Sequence, residues 1–318
     1  MKRFLVKVVV WLLIFSLAVF LLNLGFEKRL EQCSNRTMIE HCPEYDLLIV
    51  GSSRAKYHID PYVMDSILGV NSFNIGIDNS QIDYHTVRIQ HYLSLCAKPP
   101  STIIWCIDFM TMGQSVGYAS DFSFPFAFYN KAFAKALIQE SEFYKDVYGL
   151  TFGALPQYLF HRYLWNRQLE FPSLIVSNMK NGSKGYFGLC DPWDGTAFNI
   201  IDTINAECHP QTKIIFEKEL GVLEKDGINV ILVYTPLFYQ VLDKIVNLNE
   251  QKRVTDSIAS HFNIPILDYT SCYLSKDSSY FCNAQHLNSQ GSKLFSEMLA
   301  RNLDSLSLIS TKRAPSIR

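Results

Sequence analysis

The sequence predicts an α/β fold: a parallel five-stranded sheet with helices on both faces, preceded by a transmembrane helix and carrying a large insertion. Short apolar runs alternate with helix-length stretches over 45–108 and again over 212–302. Such alternation builds a parallel sheet covered on both faces. The run ending at Val50 is continuous, as strands buried on both sides are. An apolar stretch from Val8 to Phe26 lies behind Lys2, Arg3 and Lys7, and that length spans a bilayer core as a helix. Of the 318 residues, 48% are hydrophobic and 19% charged, a composition that supports a buried core and argues against disorder. A formal net charge of −1 argues against a nucleic-acid partner, because phosphate binding needs a basic surface. No internal repeat is visible.

In chain order, residues 1–27 read as an uncleaved signal anchor. There is no small-residue cleavage site and no early cysteine for lipid attachment; a cleaved signal peptide or a buried core helix are the alternatives. The basic cap favours a cytoplasmic N-terminus and an extracytoplasmic remainder, although the following flank Glu27-Lys28-Arg29-Leu30-Glu31 is mixed in sign. Residues 28–44 form a polar linker. The main domain is expected over 45–308, with its insertion at about 109–208, and a basic tail over 309–318.

Within the domain, Tyr45–Val50 reads as the first strand, and Asp60-Pro61 opens a short helix with proline at its favoured first position. Val70–Ile75 is the second strand and Ser80–Leu95 a helix. Thr102–Ile107 is the third strand, ending at Asp108. A helix from near Thr212 to Lys225 precedes the strand Ile228–Tyr234. One long helix is expected over 238–262, a short strand at Ile264–Asp268, and a final helix over Ser289–Asn302. Five strands suit the flavodoxin-like order, in which ligands bind beyond the carboxyl ends of the strands.

The insertion holds Phe122, Phe124, Phe126, Phe128 and Tyr129 in tight alternation. A buried strand or hairpin explains the pattern, and an apolar face toward a membrane or partner is the sharper reading. Eight cysteines, Cys33, Cys42, Cys96, Cys106, Cys190, Cys208, Cys272 and Cys282, include no C-x-x-C pair, which argues against a zinc knuckle or redox motif. In an oxidising compartment Cys33–Cys42 and Cys272–Cys282 are the pairings to test first; eight small buried residues is the alternative. Asn35-Arg36-Thr37 and Asn181-Gly182-Ser183 match the glycosylation sequon. His58, His85, His91, His161 and His209 share no metal-ligand spacing, and no glycine-rich phosphate loop is present. No metal and no cofactor is expected.

Three short blocks carry the chemistry. Gly51-Ser52-Ser53 follows the first strand, Asn74-Ile75-Gly76 follows the second, and Asn283-Ala284-Gln285-His286-Leu287-Asn288 precedes the last helix. A serine hydroxyl is a weak nucleophile and needs an adjacent base. At a strand-to-helix turn the Ser53 hydroxyl can leave the sheet while its own amide serves an oxyanion; capping of the following turn is the plainer role for both serines. His286 lies where it can reach the same end of the sheet.

These blocks, in this order over about 45–303, resemble the SGNH/GDSL hydrolase superfamily. The Gly-Ser-Ser block behind an N-terminal anchor is most similar to its extracytoplasmic branch, which includes the D-alanyl transfer protein of lipoteichoic acid synthesis and the alginate O-acetylation proteins. The resemblance implies acyl transfer or acyl-ester hydrolysis on a cell-envelope saccharide or acyl carrier, beside a multi-pass acyltransferase partner. It implies Ser53 as nucleophile, His286 as base, Asn283 as the third member, and an oxyanion hole from the amides of Ser53 and Gly76, with Asn79 as a substitute donor or a plain helix cap. It also places the loop Lys184–Gly188 near the site.

The departures matter equally. Position 283 is Asn where the family has Asp, and Asp108 stands near the place of the third-block Asn. Asp268 is an alternative orienter of the histidine. Arg54 either pairs with a carboxylate or binds an anionic group. The departures sustain a second reading, a non-catalytic accessory or binding subunit of an envelope polysaccharide modification complex that keeps the fold.

Overall fold

The structure, a computed structural model, describes residues 3–4, 6–17, 44–78, 80–113, 183–189, 192–193 and 203–309. The aromatic alternation at 122–129, most of the insertion, Asn79, Cys33, Cys42, Cys190 and the sequon asparagines lie outside the described residues. So do 18–26, the second half of the expected membrane span. Residues 6–17 are helical and expose their apolar side chains, Trp11 at 70%. Among the described residues no helix is long and apolar enough to cross a membrane.

Five strands form one parallel sheet: β1 (Leu47–Val50), β2 (Ser72–Asn74), β3 (Thr102–Ile107), β5 (Asn229–Tyr234) and β7 (Ile266–Asp268). Their spatial order is β2-β1-β3-β5-β7, the flavodoxin-like order. Side chains alternate faces along each strand, and both faces are apolar. Leu47, Ile49, Ile104, Cys106, Ile231 and Val233 enter one core cluster; Leu48, Val50, Ile103, Trp105, Leu232 and Tyr234 enter the other.

Helices α1 (Ser53–His58), α2 (Pro61–Leu68) and α7 (Ser289–Ser305) cover the first face. Helices α3 (Ile82–Leu95), α4 (Pro210–Lys225) and α6 (Leu248–His261) cover the second. Asp60 caps α2, its carboxylate accepting the Tyr62 amide, and Gly69 ends it in the left-handed region at φ 67°.

The long helix expected over 238–262 is not formed. The chain makes a short turn of helix, α5 (Tyr239–Leu242), then β6 (Ile245–Val246), which pairs in parallel with β4 (Ile204–Asn205). Asn247, at φ 62°, then turns the chain into α6. The β-branched pair at 245–246 takes a strand partner from outside the helix pattern.

Before α7, β8 (Phe281–Asn283) and β9 (His286–Leu287) form an antiparallel hairpin. The expected Cys272–Cys282 bridge does not form: Cys272 is a free thiol facing the Ser275 hydroxyl at 3.9 Å.

Candidate active site

The strand order reverses between β1 and β3, so a crevice opens beyond their carboxyl ends. Gly51 leaves β1 at φ 151°, and a Cβ there would sit 2.8 Å from that of Cys106. Only glycine lets the turn into α1 lie this close to β3.

Ser52 is the N-cap of α1. Its Oγ accepts the Arg54 amide at 3.3 Å and donates to the Asp108 carboxylate, at the end of β3, at 2.5 Å. The same Asp108 oxygen receives Arg54 Nη1 at 3.1 Å. The other oxygen accepts the amides of Met110 at 2.8 Å and Thr111 at 3.1 Å. Burial alone would raise the Asp108 pKa, but Arg54, Ser52, the Met110 amide and the Thr111 side chain bring it below the ordinary value. Arg54 is itself buried and lies over the Phe109 ring at 4.4 Å. Asp108 and Arg54 thus lock the serine turn to β3, and Arg54 is spent on a carboxylate within the protein.

Ser53 is the first residue of α1, so its N–H has no intrahelical acceptor. Its hydroxyl meets His286 Nε2 at 2.8 Å, across 233 residues of sequence. On the far side of the ring, Asn283 Oδ1 lies 3.1 Å from Nδ1. The backbone amides of Gln285 and His286 reach the same Asn283 atom at 2.9 and 3.0 Å. Two N–H donors require an acceptor, so that atom is the amide oxygen. Nδ1 must then carry the proton and donate to it, which leaves Nε2 bare to accept from Ser53. The hairpin backbone thus sets the asparagine, the asparagine sets the tautomer, and the tautomer faces the serine in the form that can take its proton.

Burial, then the charge of Arg54, lowers the His286 pKa to about 3; Asp108 opposes this and Lys56 adds to it. The ring is neutral at ordinary pH and a weak base. Tyr57 stands edge-on to it at 5.2 Å, and Phe187 edge-on to Tyr57 at 6.0 Å. The expected loop near the site is this segment: Phe187 N–H donates to the Lys56 carbonyl at 3.1 Å. Lys184, at φ 57°, ties its start to Asp65 and to Asn71 at 2.7 Å.

Two expectations are corrected. The Gly76 amide is not open to an oxyanion, because it donates to Asn74 Oδ1 at 2.9 Å. Gly76 is there for space: a Cβ would lie 2.6 Å from the Lys56 nitrogen. Asn74, fully buried, also donates from Nδ2 to the carbonyls of Ala55 and Ile59 at 2.7 and 2.9 Å, fastening α1 to β2. Asp268 does not orient His286; its carboxylate takes Lys252 at 2.6 Å and the Thr270 amide at 2.9 Å.

Sequence reasoning missed His58, Gln285 and Asn74. Gln285 Oε1 accepts from Arg54 Nη2 at 3.3 Å, and buried His58 Nε2 accepts the Leu287 amide at 3.1 Å. Of these, only Asn74 had a signal, an asparagine two residues before a glycine at a strand end.

The chain matches no protein-family model and no curated protein. Its fold is similar to that of several solved structures. One, assigned as a lipolytic protein of the G-D-S-L family from Desulfitobacterium hafniense DCB-2, shares 12% identity at a TM-score of 0.39 over 80% of this chain and 97% of that one. A second, assigned as an acylhydrolase from Bacteroides fragilis NCTC 9343, shares 12% at 0.38 over 82% and 86%. The acetyl xylan esterase AlAXEase shares 11% at 0.39 over 82% and 98%. Likeness at this level leaves the chemistry to be read from the side chains themselves.

Proposed function

We propose that the chain is a serine-dependent enzyme of acyl transfer or acyl-ester hydrolysis, acting on a saccharide or acyl carrier of the cell envelope. The observation that carries this reading is the relay from Asn283 Oδ1 through the His286 ring to the Ser53 hydroxyl. In the reaction, Nε2 takes the Ser53 proton as Oγ attacks the acyl carbonyl. The Ser53 amide, free of intrahelical bonding, faces the developing oxyanion. Collapse of the tetrahedral intermediate expels the leaving oxygen, which takes the proton from Nε2. Water or a sugar hydroxyl then gives its proton to Nε2 and releases the acyl group by the reverse steps. A membrane anchor over 1–27, holding the domain outside the cytoplasm beside a multi-pass acyltransferase, completes the proposal. The basic cap and the exposed apolar helix over 6–17 support it.

A second reading is an accessory subunit that keeps the fold without the chemistry. It is favoured by the absence of a carboxylate at 283, by the low basicity of His286, and by the commitment of the Gly76 amide to Asn74. A fluorophosphonate probe on the full-length chain separates the two. Labelling that is lost in Ser53→Ala supports the enzyme; folded protein that takes no label supports the accessory subunit.

A further inference from the structure

Three consecutive residues of the hairpin, 285 to 287, are each gripped from α1. Arg54 holds the Gln285 side chain, Ser53 meets the His286 ring, and His58 takes the Leu287 amide. The last of these differs in kind, because it holds backbone. Just after β9, Asn288 N–H turns back to the Tyr280 carbonyl at 2.9 Å, on the β8 side, whereas Leu287 N–H turns to His58. An imidazole closes that open edge where a neighbouring strand otherwise would.

His58 is fully buried, and its ring stands edge-on to the His286 ring at 6.1 Å. Since Nε2 accepts, the proton is on Nδ1. Burial, then the neighbouring His286 and Arg54, hold its pKa well below the ordinary value, so the ring stays the neutral acceptor that this bond requires. Asn283 fixes the tautomer of His286 but lies in the same hairpin, so it cannot set where the hairpin sits against α1.

We propose that His58 is a positioning residue for the Ser53–His286 pair, anchoring the Leu287 amide so that Nε2 of His286 meets the serine hydroxyl. The inference rests on the acyl-transfer reading of the site. His58 touches no reacting atom. It acts through the backbone next to the base, and a misplacement of about 1 Å there costs on the order of a hundredfold in rate.

The test uses the full-length chain and three measurements. In the wild type, the Leu287 amide should exchange with solvent as slowly as amides of β3; exchange at the rate of an open strand edge overturns the proposal without any variant. In His58→Leu, the rate of fluorophosphonate labelling of Ser53 and kcat for p-nitrophenyl acetate should fall at least about tenfold, with KM unchanged. His58→Gln, which returns an acceptor near the Nε2 position, should recover most of the loss. Folded His58→Leu that labels at the wild-type rate overturns the positioning role alone. Wild-type protein with a protected Leu287 amide and no reaction at Ser53 overturns the acyl-transfer reading, and the positioning role with it.

Discussion

The Asn283 side-chain oxygen accepts from His286 twice, from its backbone amide at 3.0 Å and from its ring Nδ1 at 3.1 Å. A carboxylate in the same place keeps both bonds and adds a charge that stabilises the imidazolium, raising its pKa by roughly 1–3 units. Asn283→Asp should therefore speed hydrolysis of p-nitrophenyl acetate at pH 8 by about tenfold or more. It should also shift the acid limb of the rate profile upward, whereas the wild type, with its base neutral down to about pH 3, should show no limb between pH 5 and 8. A slower or unchanged Asn283→Asp enzyme would remove Asn283 from the proposed relay.

Asp108 gathers the Ser52 hydroxyl, Arg54 and two backbone amides at the end of β3. Removing its charge strands a buried guanidinium, so Asp108→Ala should cost about 3–5 kcal/mol in urea unfolding. Ser52→Ala, which loses a cap and one hydrogen bond to a charged group, should cost about 1–3 kcal/mol. An Asp108→Ala protein within about 1 kcal/mol of the wild type would mean that Arg54 finds water or another partner.

Two fully buried histidines, His58 and His85, and the half-buried His286 make the fold sensitive to acid. Burial lowers His85 and His286 to about 3 and His58 well below its ordinary 6.5. Between the folded and unfolded values the unfolded chain binds more protons. Stability is therefore full above about pH 6.5 and falls as pH drops toward about 3, by roughly 1.4 kcal/mol per pH unit for each fully buried ring. Urea midpoints should decline steadily from pH 7 to 5. A flat profile would show that these rings protonate without opposition.

The apolar stretch Val8–Phe26 behind its basic cap should keep the chain in the membrane fraction through a carbonate wash. A reporter fused after residue 318 should be active outside the cytoplasm. A C-terminus reached by a label confined to the cytoplasm would end the envelope part of the proposal.

The sheet was legible because short, largely apolar runs such as Leu47–Val50 and Thr102–Ile107 stand between helix-length stretches and breakers. Thr102–Ile107 appears with the same limits in sequence and structure, and the others shift by a residue or two at their ends. The region from 238 to 262 was misread because β6 is two residues long and its partner, β4, pairs Ile204 with Ile245, far away in the sequence. Ser53, His286 and Asn283 could be named from local blocks. The bond that occupies the Gly76 amide is local too, but it depends on which way the Asn74 side chain turns. His58 was beyond reach: no spacing along the chain ties residue 58 to the amide of residue 287.

The α1 helix receives its partners from the far end of the sequence, with Ser53 and His286 separated by 233 residues. Ribosomes make chain from the N-terminus at about 5–20 residues per second. Ser53 therefore emerges roughly 10–50 seconds before the histidine that completes its site. During that interval the serine has no base and the turn that carries it has no hairpin to rest on. A nascent chain therefore carries Ser53 without its hydrogen-bond partner, and the two side chains first meet when the last hairpin and α7 dock.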